Sequence, residues 1–279
     1  MTASHTVLVP LDGSASATGA IPVARRLAGL LDATVVLLHV VEDDIPAPAT
    51  LIERMNLSAD DVHGFIVEHG RGVPEEVILK EAARRHAAAI VMCTQTHTDI
   101  RWRTFGHVAK PVFCGAPCPV VLIPPSRGRE PWDLRQVLVP HDGSPTSAVT
   151  IEPAADLAAG SGAELVVLHV ATPTPAKRVE PGTFLVPSYV DQPHHEWNAW
   201  TREFVDRLCA VGGARSDANI RMMVAEGEAD ASIIQSAHHS DLIVLGWHGV
   251  LEPDRAVTLR RVVHDTSCPV IVFRVDRAG

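Results

Sequence analysis

Two aspartates follow equivalent apolar runs and are candidate hydrogen-bond acceptors for a ligand. Asp12 lies in VLVPLDGS at residues 7–14, and Asp142 lies in VLVPHDGS at residues 137–144. A carboxylate at either position could accept hydrogen bonds from the hydroxyl or amino groups of a ribose or an adenine. The alternative is structural, because an Asp-Gly-Ser sequence also forms turns and begins helices.

A pair of glycines follows a later apolar run of the second half. Gly246 and Gly249 lie in the sequence GWHG, directly after the run LIVL. Glycine has no Cβ, so its backbone N–H can approach an anion closely. These residues are therefore candidate anion-binding positions, and an ordinary turn that leaves a strand is the alternative.

The sequence predicts neither a catalytic site nor a metal site. It contains no G-x-S-x-G, Walker, G-x-G-x-x-G or H-E-x-x-H motif. Adjacent histidines such as His238 and His239 diverge by about 100° on a helix, so they do not converge on one ion. Cys114 and Cys118 lack the second Cys/His pair that a tetrahedral zinc site needs.

The elements that would position these residues alternate between strand and helix. The predicted strands of the first half span about residues 7–10, 34–41, 64–68, 89–92 and 120–123, and its helices span about 16–31, 51–55, 74–85 and 107–113. Continuous apolar strands that alternate with amphipathic helices predict a doubly wound, five-stranded parallel sheet. In such a sheet, ligands bind beyond the carboxyl ends of strands one and four.

The second half repeats this order and predicts a duplicated domain. Its strands are expected from about residue 137 and at 165–170, 221–224, 242–245 and 270–273, and its first helix is expected over 147–159. An extra proline-bearing loop at 173–195 and a helix at 196–211 separate its second and third strands. We expect domains at 1–125 and 135–279, joined by a linker at 126–134 that is rich in proline and charge.

Composition limits the classes of partner. The chain has 279 residues, a net charge of −9 and only 4% aromatic residues, so a broad nucleic-acid surface is not expected. It has neither an apolar run of about 18 residues nor a signal-peptide pattern at its start. A cytoplasmic protein without membrane contact is therefore expected.

Taken together, the two halves resemble a tandem universal stress protein. The resemblance covers nearly all of both halves and rests on VLVPxDGS, the LLHV or VLHV strand, the glycine loop and the closing CPV at 118–120 and 268–270. It implies two flavodoxin-like or adenine nucleotide α hydrolase-like sheets with strand order 3-2-1-4-5. It also implies that the two fifth strands pair, giving an intrachain pseudo-dimer, and that the chain forms a homodimer.

The resemblance also implies which residues hold an adenine nucleotide. In ATP-binding members, the aspartate after strand one and the backbone near the end of strand two hold the nucleoside. Those positions correspond to Asp12 and Val40 in the first half and to Asp142 and Val170 in the second half. The phosphates are held by the glycines of G-x2-G, nine further residues, and then G-[S/T].

Both copies of this phosphate motif depart from the family pattern. In the first half, Cys93 and Thr96 replace the leading glycines, and Gly106 stands at the later glycine position but is followed by histidine. In the second half, Gly246 and Gly249 remain, but the residues at 256–257 are Ala-Val instead of Gly-Ser. ATP or another adenine nucleotide is therefore expected in the second half, with a shorter or differently posed ligand.

The sequence thus predicts a noncatalytic stress-response protein that senses an adenine nucleotide. Two alternatives remain open at this point. The chain could be a slow nucleotide hydrolase that uses the second crevice, or a ligand-free scaffold that recognises an unknown protein partner through the loop at 173–195.

Overall fold

The computed structural model of the chain describes residues 5–41, 48–94, 106–171, 219–248 and 256–275. The chain forms two compact units, one of residues 1–133 and 250–272 and the other of residues 134–249 and 273–279. The repeat predicts instead that residues 250–272 belong with the second half. The domain boundaries at 1–125 and 135–279 stay a prediction.

The first unit is built on a sheet whose first five strands are parallel. These strands are β1 (His5–Pro10), β2 (Ala33–Val41), β3 (Ile66–Arg71), β4 (Ala87–Cys93) and β5 (Val120–Ile123). Their order in the sheet is β3-β2-β1-β4-β5. The predicted order 3-2-1-4-5 is confirmed here, and β1 lies between β2 and β4.

Helices connect these strands. They are α1 (Ala20–Leu30), α2 (Pro48–Arg54), α3 (Pro74–Arg84) and α4 (Ala109–Gly115), and a 3-10 turn at Ala17–Gly19 precedes α1. The residues of α1 that recur at helical spacing, among them Val23, Ala24 and Leu27, are buried against the sheet. The single helix predicted over 16–31 is therefore a short turn followed by a helix.

The second unit repeats the parallel arrangement. Its strands are β6 (Gln136–Pro140), β7 (Glu164–Ala171), β8 (Ile220–Glu226) and β9 (Leu242–Trp247), in the order β9-β6-β7-β8. Its helices are α5 (Pro145–Ala148), α6 (Ile151–Ser161) and α7 (Ala229–Ala237). The loop at 173–195 and the helix at 196–211 lie outside the described residues.

The end of the chain provides α8 (Val257–Asp265) and β10 (Val270–Arg274). Strand β10 pairs antiparallel with β5, so that Val270 lies opposite Leu122 and Val272 lies opposite Val120. This is the pairing that the resemblance implies for the two fifth strands. It covers the backbone edge that β5 would otherwise expose.

The strands at the centre of each sheet are aliphatic and buried on both faces. Val7, Leu8 and Val9 of β1 are all 0% exposed, and Leu165 and Leu168 of β7 are equally enclosed. This burial explains why both central strands are continuous apolar runs. No helix in the described part of the chain has the length and apolar character needed to cross a membrane.

Candidate ligand-binding crevice

The two crevices lie where the chain winding reverses. In the first unit β1 pairs with both β2 and β4, and in the second unit β6 pairs with both β7 and β9. All of these pairs are parallel, so their carboxyl ends share one edge of the sheet. This switch point is where open parallel sheets bind ligands, and the loops that leave β1 and β6 carry the predicted aspartates.

In the second unit, Asp142 uses one carboxylate oxygen to fix the turn. Its Oδ1 accepts hydrogen bonds from the backbone N–H of Ser144 at 3.0 Å and from the hydroxyl of Ser147 at 2.7 Å. Within the described residues its Oδ2 accepts no hydrogen bond, and the residue is exposed. The second oxygen is therefore available to a ligand.

The same hydrogen bonds keep Asp142 ionised. Displacement of water by the surrounding protein raises the pKa of the carboxyl, but the hydrogen bonds from Ser144 and Ser147, with a smaller effect of His141, lower it by more. The net result is a pKa below the ordinary value of an aspartate. At neutral pH the side chain is a carboxylate, which only accepts hydrogen bonds.

His141 precedes this aspartate and supports the turn from inside. Its side chain is 2% exposed, and its Nδ1 accepts a hydrogen bond from the Gly143 N–H at 2.8 Å. Its carbonyl accepts a hydrogen bond from Nδ1 of His169 at 3.0 Å. Burial, with a smaller effect of His169, lowers the pKa of His141 to about 4 although Asp142 opposes the change. The ring is therefore neutral at physiological pH.

Gly246 lies where β9 packs directly against this turn. A Cβ at Gly246 would lie 2.3 Å from the carbonyl oxygen of Thr146, which is far closer than any side chain tolerates. Thr146 also holds the residue that follows β9, because its Oγ1 lies 2.5 Å from Nε2 of His248. The glycine thus has a packing role, and His248 ties the GWHG loop to the aspartate turn.

In the first unit, the contact between the strand end and the aspartate turn is made by a side chain. Asp12 Oδ1 accepts a hydrogen bond from the Ser14 N–H at 2.9 Å, as its counterpart does. The residue at the Gly246 position is Cys93, whose thiol donates to the carbonyl of Ser16 at an S–O distance of 2.8 Å. Burial, with a smaller effect of the Asp12 charge, raises the pKa of this thiol to about 12. A protonated side chain therefore separates β4 from the turn.

The first crevice is also approached by the end of α2. Gly13 has a φ of +86°, and a Cβ at this position would lie 2.3 Å from the carbonyl oxygen of Arg54. The last turn of α2 consequently packs against the glycine of the Asp-Gly-Ser turn. This contact occupies one side of the turn in the first unit.

The predicted valines lie at the same edge as the aspartates. Val40 and Val170 are near the carboxyl ends of β2 and β7. In the first unit, Nδ1 of His39 bonds to the carbonyl of Leu11 at 2.7 Å, which joins the end of β2 to the residue before Asp12. In each unit the valine thus lies near the end of a strand that neighbours the strand before the aspartate, and the role of these residues in holding a nucleoside stays a prediction.

The predicted phosphate-side residues are described only in part. Gly106 lies at the entrance to α4, where its carbonyl accepts a hydrogen bond from the Lys110 N–H at 3.1 Å. Ala256 is the buried N-cap of α8 and has no side-chain capping hydrogen bond. Gly249 and Thr96 lie outside the described residues. The position of a phosphate loop after β4 or β9 stays a prediction.

The sequence analysis missed several polar residues of the second crevice. They are His141, Thr146, Ser147 and His248. The signal that could have identified His141 is the difference between LDGS in the first copy and HDGS in the second. In the described residues, no group of three or more His, Cys, Asp or Glu side chains could hold a metal ion.

Comparison with known proteins identifies the family of this chain. The pattern of the Universal stress protein family matches the chain twice, over residues 4–124 and 134–274. The chain therefore belongs to the universal stress protein family and carries two copies of its domain. No curated protein sequence matches the chain.

Two solved structures resemble the whole chain. One is a functionally unknown protein from Pseudomonas aeruginosa PAO1, which is 19% identical with a TM-score of 0.67 over 98% of this chain and 94% of that chain. The other is a universal stress protein from Archaeoglobus fulgidus DSM 4304, which is 16% identical with a TM-score of 0.62 over 97% of this chain and 98% of that chain. At these identities the likeness establishes the fold.

Proposed function

We propose that this universal stress protein is a noncatalytic sensor that binds an adenine nucleotide in the crevice of its second unit. The observation that carries the proposal is Asp142, an ionised and exposed carboxylate with one oxygen uncommitted among the described residues. Its position beside the switch point of the sheet is where such a ligand would enter. Family membership supports the role in stress response.

The chemistry of the crevice suits a nucleoside. Asp142 Oδ2 would accept hydrogen bonds from ribose hydroxyls or from the amino group of adenine. The backbone of Val170, near the end of β7, would hold the nucleoside from the other side. His248 would face the phosphate side, because it extends the strand β9 that packs against the aspartate turn.

The same contacts support binding without turnover. The hydroxyl of Ser147 donates to Asp142, and the neighbouring His141 is neutral and uses Nδ1 to hold the turn. The hydroxyl of Thr146 lies 2.5 Å from Nε2 of His248, but Thr146 is buried where the turn packs against β9, so this pair would hold the loop and would not attack a ligand. The predicted homodimer and cytoplasmic location remain predictions.

Calorimetric titration of the full chain with ATP, ADP and AMP tests this proposal. We expect at least one of the three to bind and the Asp142→Asn variant to weaken that binding tenfold or more, because an amide no longer offers an ionised acceptor. A phosphate-release assay on the same samples should show no turnover.

Asp156→Asn is the matched control for this experiment. Asp156 is exposed on α6 in the same unit, and its substitution changes the charge equally without altering the turn. Unchanged affinity of Asp142→Asn, or phosphate release at a rate that follows nucleotide binding, would contradict the proposal.

A further inference from the structure

The geometry points to a second small-molecule site in the first unit, which would bind a small organic anion and does not depend on the nucleotide crevice. A cavity of about 480 Å³ lies beside α1. Its walls are residues of α1, the acidic pair before β3, and residues near the end of the segment after β5: Ile21, Pro22, Arg25, Arg26, Asp60 and Arg129 among them. Its volume falls within the range of small-molecule sites.

The segment that the sequence predicts as a linker forms one fixed wall of this cavity. Arg129 donates from Nε to the Thr18 hydroxyl at 2.7 Å and from Nη2 to the carbonyl of Asn56. Trp132 also lines the cavity and is only 8% exposed. These contacts hold the segment against the start of α1, so the cavity is preformed.

A second guanidinium of the cavity is oriented by uncharged groups, and its charge also acts on the nearby Asp61 carboxylate. Arg25 donates to the backbone carbonyls of His63 at 3.2 Å and Asp61 at 3.0 Å. Its guanidinium also stacks over the Phe65 ring, 4.1 Å from the ring centroid. Carbonyls and an aromatic face orient a cation but do not neutralise it.

Arg26 provides a charge that points to a ligand. Among the described residues its guanidinium makes neither a hydrogen bond nor an ion pair. A guanidinium always carries a positive charge and only donates hydrogen bonds. Because the same side chain lines the cavity, an anion bound there would pair with that charge.

The charge balance of the cavity favours an anion. Its lining includes three arginines and two aspartates, which leaves one positive charge in a chain whose net charge is −9. Asp61 is already engaged, because its Oδ2 accepts hydrogen bonds from the N–H and the hydroxyl of Ser58, both at 2.8 Å. Its contact with Arg129 Nη1 is longer, at 3.4 Å.

The remaining walls define the rest of the ligand. Ile21, Pro22, Pro131 and Trp132 add apolar surface to the charged lining of the cavity. A ligand that suits both kinds of surface has an apolar ring that carries a carboxylate or a phosphate. Inorganic phosphate offers the charge without the apolar body, so it distinguishes a built site from simple attraction between charges.

Titration of the full chain with phenyl phosphate, benzoate and inorganic phosphate tests this inference. We expect one of the two aromatic anions to bind at least tenfold more tightly than inorganic phosphate. The Arg26→Gln variant should weaken this binding tenfold or more. Arg71→Gln, which removes an exposed positive charge on β3, should leave it unchanged.

A second variant tests the cavity without changing its charge. A Cβ at Gly29 meets no atom within 4 Å, so Gly29→Leu adds a side chain to the cavity wall while improving the helix. We expect this variant to stay folded and to lose the aromatic anion. Equal binding to Arg26→Gln and the unaltered chain, no preference over inorganic phosphate, or no binding of either aromatic anion at millimolar concentration would overturn the inference.

Discussion

The residues beside the two aspartate turns differ more than the turns themselves. The first unit places the apolar Leu11 before its aspartate and the Cys93 thiol against the turn. The second unit places His141 and Gly246 at the same positions. In the first unit, a cysteine side chain lies between the strand and the turn. In the second unit, a glycine lets the strand backbone contact the turn directly.

His141 should make the stability of the second unit depend on pH. Its pKa is about 4 in the folded chain and near the ordinary value of 6.5 when unfolded, so the unfolded chain binds more protons between these values. The free energy of unfolding should therefore be undiminished above pH 6.5 and fall as the pH drops towards 4. By pH 5 this one group should cost about 2 kcal/mol.

Urea denaturation at pH 7.5 and at pH 5 measures this effect. His141→Leu, which introduces the residue found at position 11 of the first unit, should reduce the difference between the two pH values by about 2 kcal/mol. His239→Gln removes an exposed histidine and should leave the difference intact. If His141→Leu and the unaltered chain lose the same stability at pH 5, protonation of His141 on unfolding does not cause that loss.

The aspartates could be predicted from the sequence, but the side chains that position them could not. Asp142 stands in a repeated motif, so its place at a strand end could be predicted. The bond between Thr146 and His248 joins residues that are 102 positions apart, and it exists because β6 and β9 are neighbours in the sheet. The backbone contact between Gly246 and Thr146 also depends on β6 and β9 being neighbours in the sheet.

At the scale of elements, the strands could be predicted where their residues are apolar. The range 120–123 matches β5, whereas the third strand was expected at 64–68 and lies at Ile66–Arg71. Its second half is polar, and its extent is fixed by pairing with β2, where His39 lies opposite His69 and Val40 lies opposite Gly70. Tertiary pairing determined this strand and local pattern did not.

The first helix of each unit is interrupted for a local reason. Pro22 and Pro153 are each the third residue of α1 and α6. Proline lacks an N–H and therefore cannot bond to the carbonyl of residue i−4, so neither helix continues smoothly from the turn before it. The helices predicted over 16–31 and 147–159 are each divided at this point.

The ends of α3 and α6 test whether backbone strain at positive φ affects stability. Helix α6 ends at Gly162 with a φ of +75°, whereas His86, the second residue after α3, has a φ of +48°. A side chain is strained at positive φ and glycine is not. We expect His86→Gly to raise the free energy of unfolding by about 0.5 kcal/mol and Gly162→Ala to lower it by about 1 kcal/mol.

Thermal or urea unfolding of both variants at pH 7.5 checks this pair. A Cβ at Gly162 meets no atom within 4 Å, so any loss would come from backbone strain instead of a clash. A gain in stability for Gly162→Ala would show that the left-handed cap does not govern the end of α6.

At the scale of the whole molecule, duplication preserved the sheets more than the site. Both units contain the parallel arrangement 3-2-1-4, and both join the end of the first strand to the second through a histidine Nδ1. The second copy has a close glycine contact at Gly246 and a histidine, His248, that contacts Thr146 of the aspartate turn. These differences are why we propose that nucleotide binding belongs to one copy.

Hydrogen exchange of the full chain, measured with and without saturating ATP, ADP or AMP, tests this claim most directly. We predict that the bound nucleotide slows exchange of the backbone amides of residues 143, 144, 146 and 147 and of residues 246–248, and leaves the amides at 13–17 and 93–94 unchanged. Slower exchange confined to the first copy, or no change in either copy with any of the three nucleotides, would contradict it.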